Sequence, residues 1–159
     1  SGKIGSAVFR GPTLLNLDTK GRLVMPTRYR DALLEQCAGQ LMVTIDINDR
    51  CLQLYPMPKW LEIEQHLNSL PSFNKAARRA QRLLVGHATD LEMDSAGRIS
   101  IPPVLRSYAT LDKKVMLIGQ GHRFEIWSED VWNQKLDEML AEDDEGDEGL
   151  PDQMKQLVL

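Results

Sequence analysis

Apolar and polar residues alternate in short runs along the chain, each bounded by residues that favour turns, the pattern of half-buried strands. The first runs are Thr13 to Leu17 and Arg22 to Met25, separated by Asp18-Thr19-Lys20-Gly21. Asp-x-x-Gly fits a type I turn with aspartate first and a positive-φ glycine last, so these runs predict a tight β-hairpin with a G1 bulge. Pro26 ends the second strand, because proline has no N–H to give a ladder. Behind it, Thr27 to Gln36 has helical spacing, with Thr27 placed as the cap. A second hairpin reads as Leu41 to Ile47, a turn at Asn48-Asp49, and Leu52 to Tyr55. A helix over Lys59 to Leu70 follows, its Trp60 suited to packing on the sheet.

The same order then returns. Leu17-Asp18-Thr19-Lys20-Gly21-Arg22-Leu23-Val24-Met25-Pro26 recurs 76 positions on as Met93-Asp94-Ser95-Ala96-Gly97-Arg98-Ile99-Ser100-Ile101-Pro102. The match continues through Arg30 and Arg106, then at an offset of 72 through Tyr55 and Trp127 and through Trp60 and Trp132. The second copy predicts a helix over Pro103 to Leu111, strands Val115 to Gly119 and Phe124 to Trp127, and a helix over Glu129 to Leu140. Self-similarity of this kind decides architecture before any local feature does. One β-β-α-β-β unit has too few strands to bury its apolar face, so the two copies predict a single α+β body with internal pseudo-twofold symmetry. The expected divisions are a first repeat over 12–59, linking helices over 60–87, a second repeat over 88–131, and a C-terminal helix with an acidic tail over 132–159.

In the linker, Asn74 to Gly86 places Lys75, Arg78, Arg79 and Arg82 on one side and Ala76, Ala80, Leu83 and Leu84 toward the other. It reads as an amphipathic basic helix, more suited to a solvated face or a contact with acidic neighbours than to phosphate binding. The opening 1–7, Ser-Gly-Lys-Ile-Gly-Ser-Ala, has the composition of an expression scar and is left out of the fold reading.

Charge is unevenly divided along the chain. The sequence carries a net charge of -4, but Asp137 to Leu159 holds nine acids against the single base Lys155, which is -8. The remaining body carries fourteen acids and eighteen bases, or +4, a balance compatible with a polyanionic partner. Ala141 to Gly149, almost wholly acidic, is expected to be disordered. With 159 residues, enough surface is buried for a real core without staples. Cys37 and Cys51 form no C-x-x-C pair and read as reduced thiols, so a cytoplasmic setting is expected. No run is long and apolar enough to predict a membrane span, and no signal sequence opens the chain.

Enzyme chemistry finds no foothold. His66, His87 and His122 lack companions at ligand spacing, so no metal or acid-base role is assigned. There is no Walker loop, nucleophile elbow or dinucleotide fingerprint, and no cofactor or small-molecule substrate is expected.

Phe9-Arg10-Gly11, the Asp18 to Pro26 stretch with Arg30, and the Asp94 to Pro102 stretch together closely resemble the MraZ family, over about Val8 to Trp132. The resemblance implies two SpoVT/AbrB-type segments forming a swapped-hairpin β-barrel within one chain, where related proteins use two chains. It also implies a nucleoid-associated transcriptional regulator, usually a repressor, that binds repeated short G-rich boxes upstream of the division and cell-wall gene cluster, its own gene included. Assembly into a closed homo-oligomeric ring is part of the same implication.

Double-stranded promoter DNA is then the expected partner. Guanidinium is permanently charged and can bond bidentately to phosphate or to guanine O6 and N7. By position, the family's DNA-binding loop arginine falls on Arg22, with Lys20, Arg28 and Arg10 as phosphate contacts; its counterpart in the second repeat, Arg98, is expected either to touch DNA as well or to turn with its hairpin toward a neighbouring subunit or the barrel interior. Asp18, Gly21, Asp94 and Gly97 are expected to fix the turns. An alternative from another class is an interaction module that grips a protein partner, as AbrB-like antitoxins grip toxins, with Asp137 to Leu159 as the gripping tail.

Overall fold

The computed structural model describes residues 8–142 and 151–155. The segment read as a scar at 1–7 and nearly all of the acidic run read as disordered lie outside them. Among the described residues the first half supplies β1 (Phe9–Asn16), β2 (Arg22–Val24), α1 (Thr27–Cys37), β3 (Gln40–Ile45), β4 (Leu52–Pro56) and α2 (Met57–Asn68). α3 (Lys75–Ala80) and a π-helical segment (Gln81–Val85) link it to the second half. There follow β5 (Thr89–Glu92), β6 (Arg98–Ser100), α4 (Pro103–Tyr108), β7 (Lys114–Gly121), β8 (Phe124–Ser128), α5 (Glu129–Ala141) and α6 (Asp152–Lys155). The mixed α+β class is as expected.

The halves trade strands. β1 pairs antiparallel with β7, from Phe9↔Gly121 to Asn16↔Lys114, and β5 pairs with β3. β2 pairs with β6, Leu23 opposite Ile99. The expected local ladder between β1 and β2 is therefore corrected: the turn between them closes, but each strand finds its partner in the other half. Apolar burial explains the exchange, since the β2–β6 register carries Leu23 and Ile99 together into the core, each 1% exposed.

The main sheet has the order β1-β7-β8-β4-β3-β5. Exchanging each strand for its counterpart in the other half returns that order reversed. The closed barrel implied by the family resemblance is also corrected. The sheet is open, with β1 and β5 as its edges, and β2 and β6 form a separate two-stranded ribbon. Pro26 and Pro102 lie just beyond these three-residue strands and lack the N–H that longer ladders would need.

Phe9, Leu23, Leu33, Leu54, Ile99, Leu105, Phe124 and Ile126 belong to one buried cluster drawn from both halves. A smaller cluster holds Cys51, Ile118 and Trp127, with Trp132 packed against it. Trp60 is buried beside Tyr55, as its spacing suggested. Thr27 does not cap α1: Pro26 occupies the N-cap, and no side chain bonds there. In the linker, Asn74 accepts the N–H of Ala77 at 3.0 Å and starts α3, which widens into the π-helical segment instead of continuing as one α-helix.

The β1–β7 contact is tight. A Cβ at Gly119 would lie 2.5 Å from the Arg10 nitrogen and 2.7 Å from the Phe9 carbonyl carbon. Backbone cannot step aside as a side chain can, so Gly119→Ala is expected to cost about 2 kcal/mol by overpacking. A denaturant midpoint matching that of the parent chain would contradict this pairing.

Candidate nucleic-acid interface

Both repeats build the same turn. Asp18 Oδ1 accepts the backbone N–H groups of Lys20 and Arg22 at 2.9 Å each, and Asp18 Oδ2 accepts Arg22 Nε at 2.8 Å. In the second turn, Asp94 Oδ1 accepts the N–H groups of Ala96 and Arg98, and its Oδ2 accepts Arg98 Nε at 2.8 Å. The Gly21 N–H donates to the Asp18 carbonyl, and the Gly97 N–H to that of Asp94. Gly21 and Gly97 sit at φ 79° and 81°, where glycine alone is free of strain. The aspartate thus binds the turn and holds the near side of the guanidinium, while the Nη groups at its far end make no hydrogen bond or ion pair among the described residues.

The β2–β6 ribbon turns both arginines to one face. Arg22 is opposite Ser100 and Arg98 is opposite Val24, so these four share a side while Leu23 and Ile99 take the other. Strand rise and spacing put the Cα atoms of Arg22 and Arg98 about 8 Å apart on the diagonal. Their side chains are 35% and 46% exposed. The ladder continues into the turns themselves, because the Met25 N–H donates to the Gly97 carbonyl at 2.7 Å and the Ile101 N–H to the Gly21 carbonyl at 2.8 Å. Each half therefore holds the other's turn in place.

Two further cations lie beneath the ribbon. A Cβ built on Gly97 would collide with Arg30 Nε, and one on Gly21 would meet the Arg106 guanidinium at 2.6 Å. Arg30 is fixed by donating from Nε to the Met25 carbonyl at 2.8 Å, whereas Arg106 Nε is buried without a hydrogen-bond partner. The repeated arginine four residues after each proline was the signal for this pair, but only the strand exchange shows each under the opposite turn.

The remaining expected contacts do not all converge. Lys20 stands exposed at the tip of the first turn, where the second turn has Ala96. Arg28 donates to Thr13 Oγ1 and to the Tyr29 hydroxyl, and stacks 4.7 Å from the Tyr29 ring centre, so it is held against β1. Arg10 is exposed on β1, eight residues before Asp18, which is about 26 Å of extended strand. The structure brings Arg22, Arg98 and Lys20 together with the four turn residues, and leaves Arg10 and Arg28 along the β1 flank.

The family model described as "MraZ protein, putative antitoxin-like" matches residues 8–83 and again residues 84–149. The chain belongs to the MraZ family. A protein named Transcriptional regulator MraZ from Thioalkalivibrio sulfidiphilus is 56% identical over 138 residues, 87% of this chain and 91% of its own length. Proteins of the same name from Pseudomonas aeruginosa and Legionella pneumophila are 53% and 51% identical over 152 residues, 96% of this chain and all of their own. The two family matches meet at 83/84, inside the π-helical segment that links the halves of this MraZ chain.

Titration bears on the MraZ turns through their aspartates. The backbone N–H of Arg22 is the main cause holding the Asp18 carboxyl below its ordinary 3.8; desolvation opposes it, and the Arg22 side chain and the Lys20 N–H assist. Asp94 is lowered chiefly by the Arg98 backbone N–H and then by its side chain. A carboxyl with a depressed folded pKa stabilises the fold above its unfolded value, and that contribution is lost as pH falls through the folded value. The turns should thus persist unchanged from about pH 8 to about pH 5. Carboxyl carbon NMR should show both aspartates titrating below the ordinary value; titration at or above it would contradict these hydrogen bonds.

Strand exchange also gathers Asp46, Cys51 and Glu125, whose ligand atoms lie within 4.8 Å of one another, a grouping that no sequence spacing announced. The carboxylates already have donors. Asp46 accepts from the N–H groups of Asn48 and Asp49 and from Gln53, and Glu125 accepts from Gln53 and Trp127. Burial, then the neighbouring carboxylates, drive the Cys51 thiol far above its usual range, keeping it neutral. A metal ion would have to displace those donors and ionise that thiol.

Proposed function

We propose that the chain regulates transcription by binding duplex DNA through the exposed face of the β2–β6 ribbon. The observation that carries this reading is the pair of guanidiniums, Arg22 and Arg98, each fixed through Nε by an aspartate, on one side of a two-stranded ribbon. A major groove about 12 Å wide admits such a ribbon, and bidentate arginine is the commonest reader of guanine O6 and N7. That chemistry fits the G-rich boxes which the family resemblance implies. Lys20 adds a phosphate contact at one end, and Arg10 and Arg28 would meet phosphates beyond the groove on the β1 side. The names of the relatives support the regulatory role.

In this reading the target is the upstream region of the division and cell-wall gene cluster, including the chain's own promoter, where binding represses. The site of action is the nucleoid within the cytoplasm. Several copies in a ring would engage successive boxes. Once one copy is bound, the next meets its box at high effective concentration, so individually weak contacts add up to tight binding.

Titration of the full chain against its own upstream region and against scrambled DNA, over a series of salt concentrations, tests this. Phosphate neutralisation predicts a linear fall of log affinity with log salt on both, and an advantage of about a thousandfold or more for the upstream region. Equal, weak binding to both would overturn the reading and favour a protein partner.

A further inference from the structure

Among the described residues, two exposed surfaces have opposite chemistry. The first is a groove of about 660 Å³ along α3 and the π-helical segment, lined by Phe73, Lys75, Arg78, Arg79, Arg82 and Leu83. Phe73 is 90% exposed, and none of the four cations makes an ion pair among the described residues. A phenyl ring left in water beside four positive charges is the composition of a contact surface.

The second is the C-terminal end of α5. Beyond its first turn, Val131, Trp132, Lys135 and Leu136 are half-buried, and helical spacing continues that face onto Met139 and Leu140. These two are 40% and 76% exposed, so the apolar stripe runs past the sheet that covers its beginning. Asp137, Glu138 and Glu142 stand exposed around it. The end of α5 contributes no residue to the groove of its own chain.

The geometry points to a head-to-tail contact in which the overhanging end of α5 in one copy fills the Phe73 groove of the next. Leu140 and Met139 supply the apolar surface that covers Phe73 and Leu83, and Asp137, Glu138 and Glu142 face the lysine and the three arginines. Each copy keeps one free groove and one free helix end, so the contact is heterologous and propagates until rotation closes it. The inference rests on the oligomeric reading proposed above and names the surfaces that build the assembly; the β2–β6 ribbon takes no part.

Two full-length variants test it by mass in solution, with circular dichroism to establish that each folds. Arg79→Glu with Arg82→Glu spoils the groove, and Met139→Lys with Leu140→Lys spoils the helix end. Each variant alone should be monomeric under conditions where the parent chain is oligomeric. Mixed in equal amounts, they should give a species of two chains and nothing larger, because only one intact groove meets one intact helix end. Either variant keeping the parental mass, or a mixture that stays monomeric, would overturn the contact while leaving the oligomeric reading in place. A parent chain that is itself monomeric at every concentration would overturn both. Binding of the monomeric variants to a duplex with a single box should stay within about threefold of one parental subunit's, since the DNA face is untouched.

Discussion

Replacing Arg22 with alanine is expected to abolish detectable binding to the promoter while leaving the oligomer intact. One lost bidentate contact costs about 1–3 kcal/mol, or roughly 5- to 150-fold in affinity, and the loss recurs in every copy that touches a box. The substitution isolates recognition from folding because Asp18 still accepts the backbone N–H groups of residues 20 and 22. The exposed Asp18–Arg22 ion pair adds little to stability in high dielectric, so the melting temperature should hardly move. Arg22→Lys keeps the charge but not the planar fork, and should retain nonspecific binding while losing preference for the boxes. Unchanged affinity of Arg22→Ala in a gel-shift titration, with normal elution, would remove Arg22 from the mechanism.

Phe124→Ala should produce the largest loss of stability among these substitutions. Phe124 is fully buried, stacked 4.4 Å from the Phe9 ring centre and edge-on to Tyr29 at 5.0 Å, so it joins residues from both halves. Removing a buried phenyl group costs about 3–5 kcal/mol through lost transfer energy and the cavity left behind. For a chain of this size that lowers the melting temperature by about 10 °C. A double-mutant cycle with Phe9→Ala should show coupling of about 0.5–1.5 kcal/mol, because the rings touch. A Phe124→Ala loss below about 1 kcal/mol would mean that the halves are not locked through this cluster.

The strands and helices were largely legible in the sequence, and their partners were not. Alternation and proline placed β2, β3, β4, β7 and β8 to within about two residues, since burial on one face of a sheet leaves a period-two trace. The Asp-x-x-Gly turns were legible for a similar reason, because backbone demands on aspartate and glycine are local. Pairing is a global choice. Nothing in Thr13 to Leu17 distinguishes Arg22 to Met25 as a partner from Lys114 to Gly121, and only the shared burial of Leu23 and Ile99 settles it. The same non-local step placed Arg30 and Arg106 beneath the opposite turns, and put Arg28 against Thr13 and Tyr29. Thr27 illustrates the reverse error, in which a good capping residue lies one position inside a helix that begins after proline.

Protection of individual arginines from phenylglyoxal, read peptide by peptide by mass spectrometry with and without promoter DNA, tests the ribbon face most directly. The chain's own upstream DNA is expected to shield Arg22 and Arg98, scrambled DNA to shield them far less, and Arg78, Arg79 and Arg82 to react the same either way. Equal modification of Arg22 and Arg98 in the presence and absence of bound promoter DNA would contradict it.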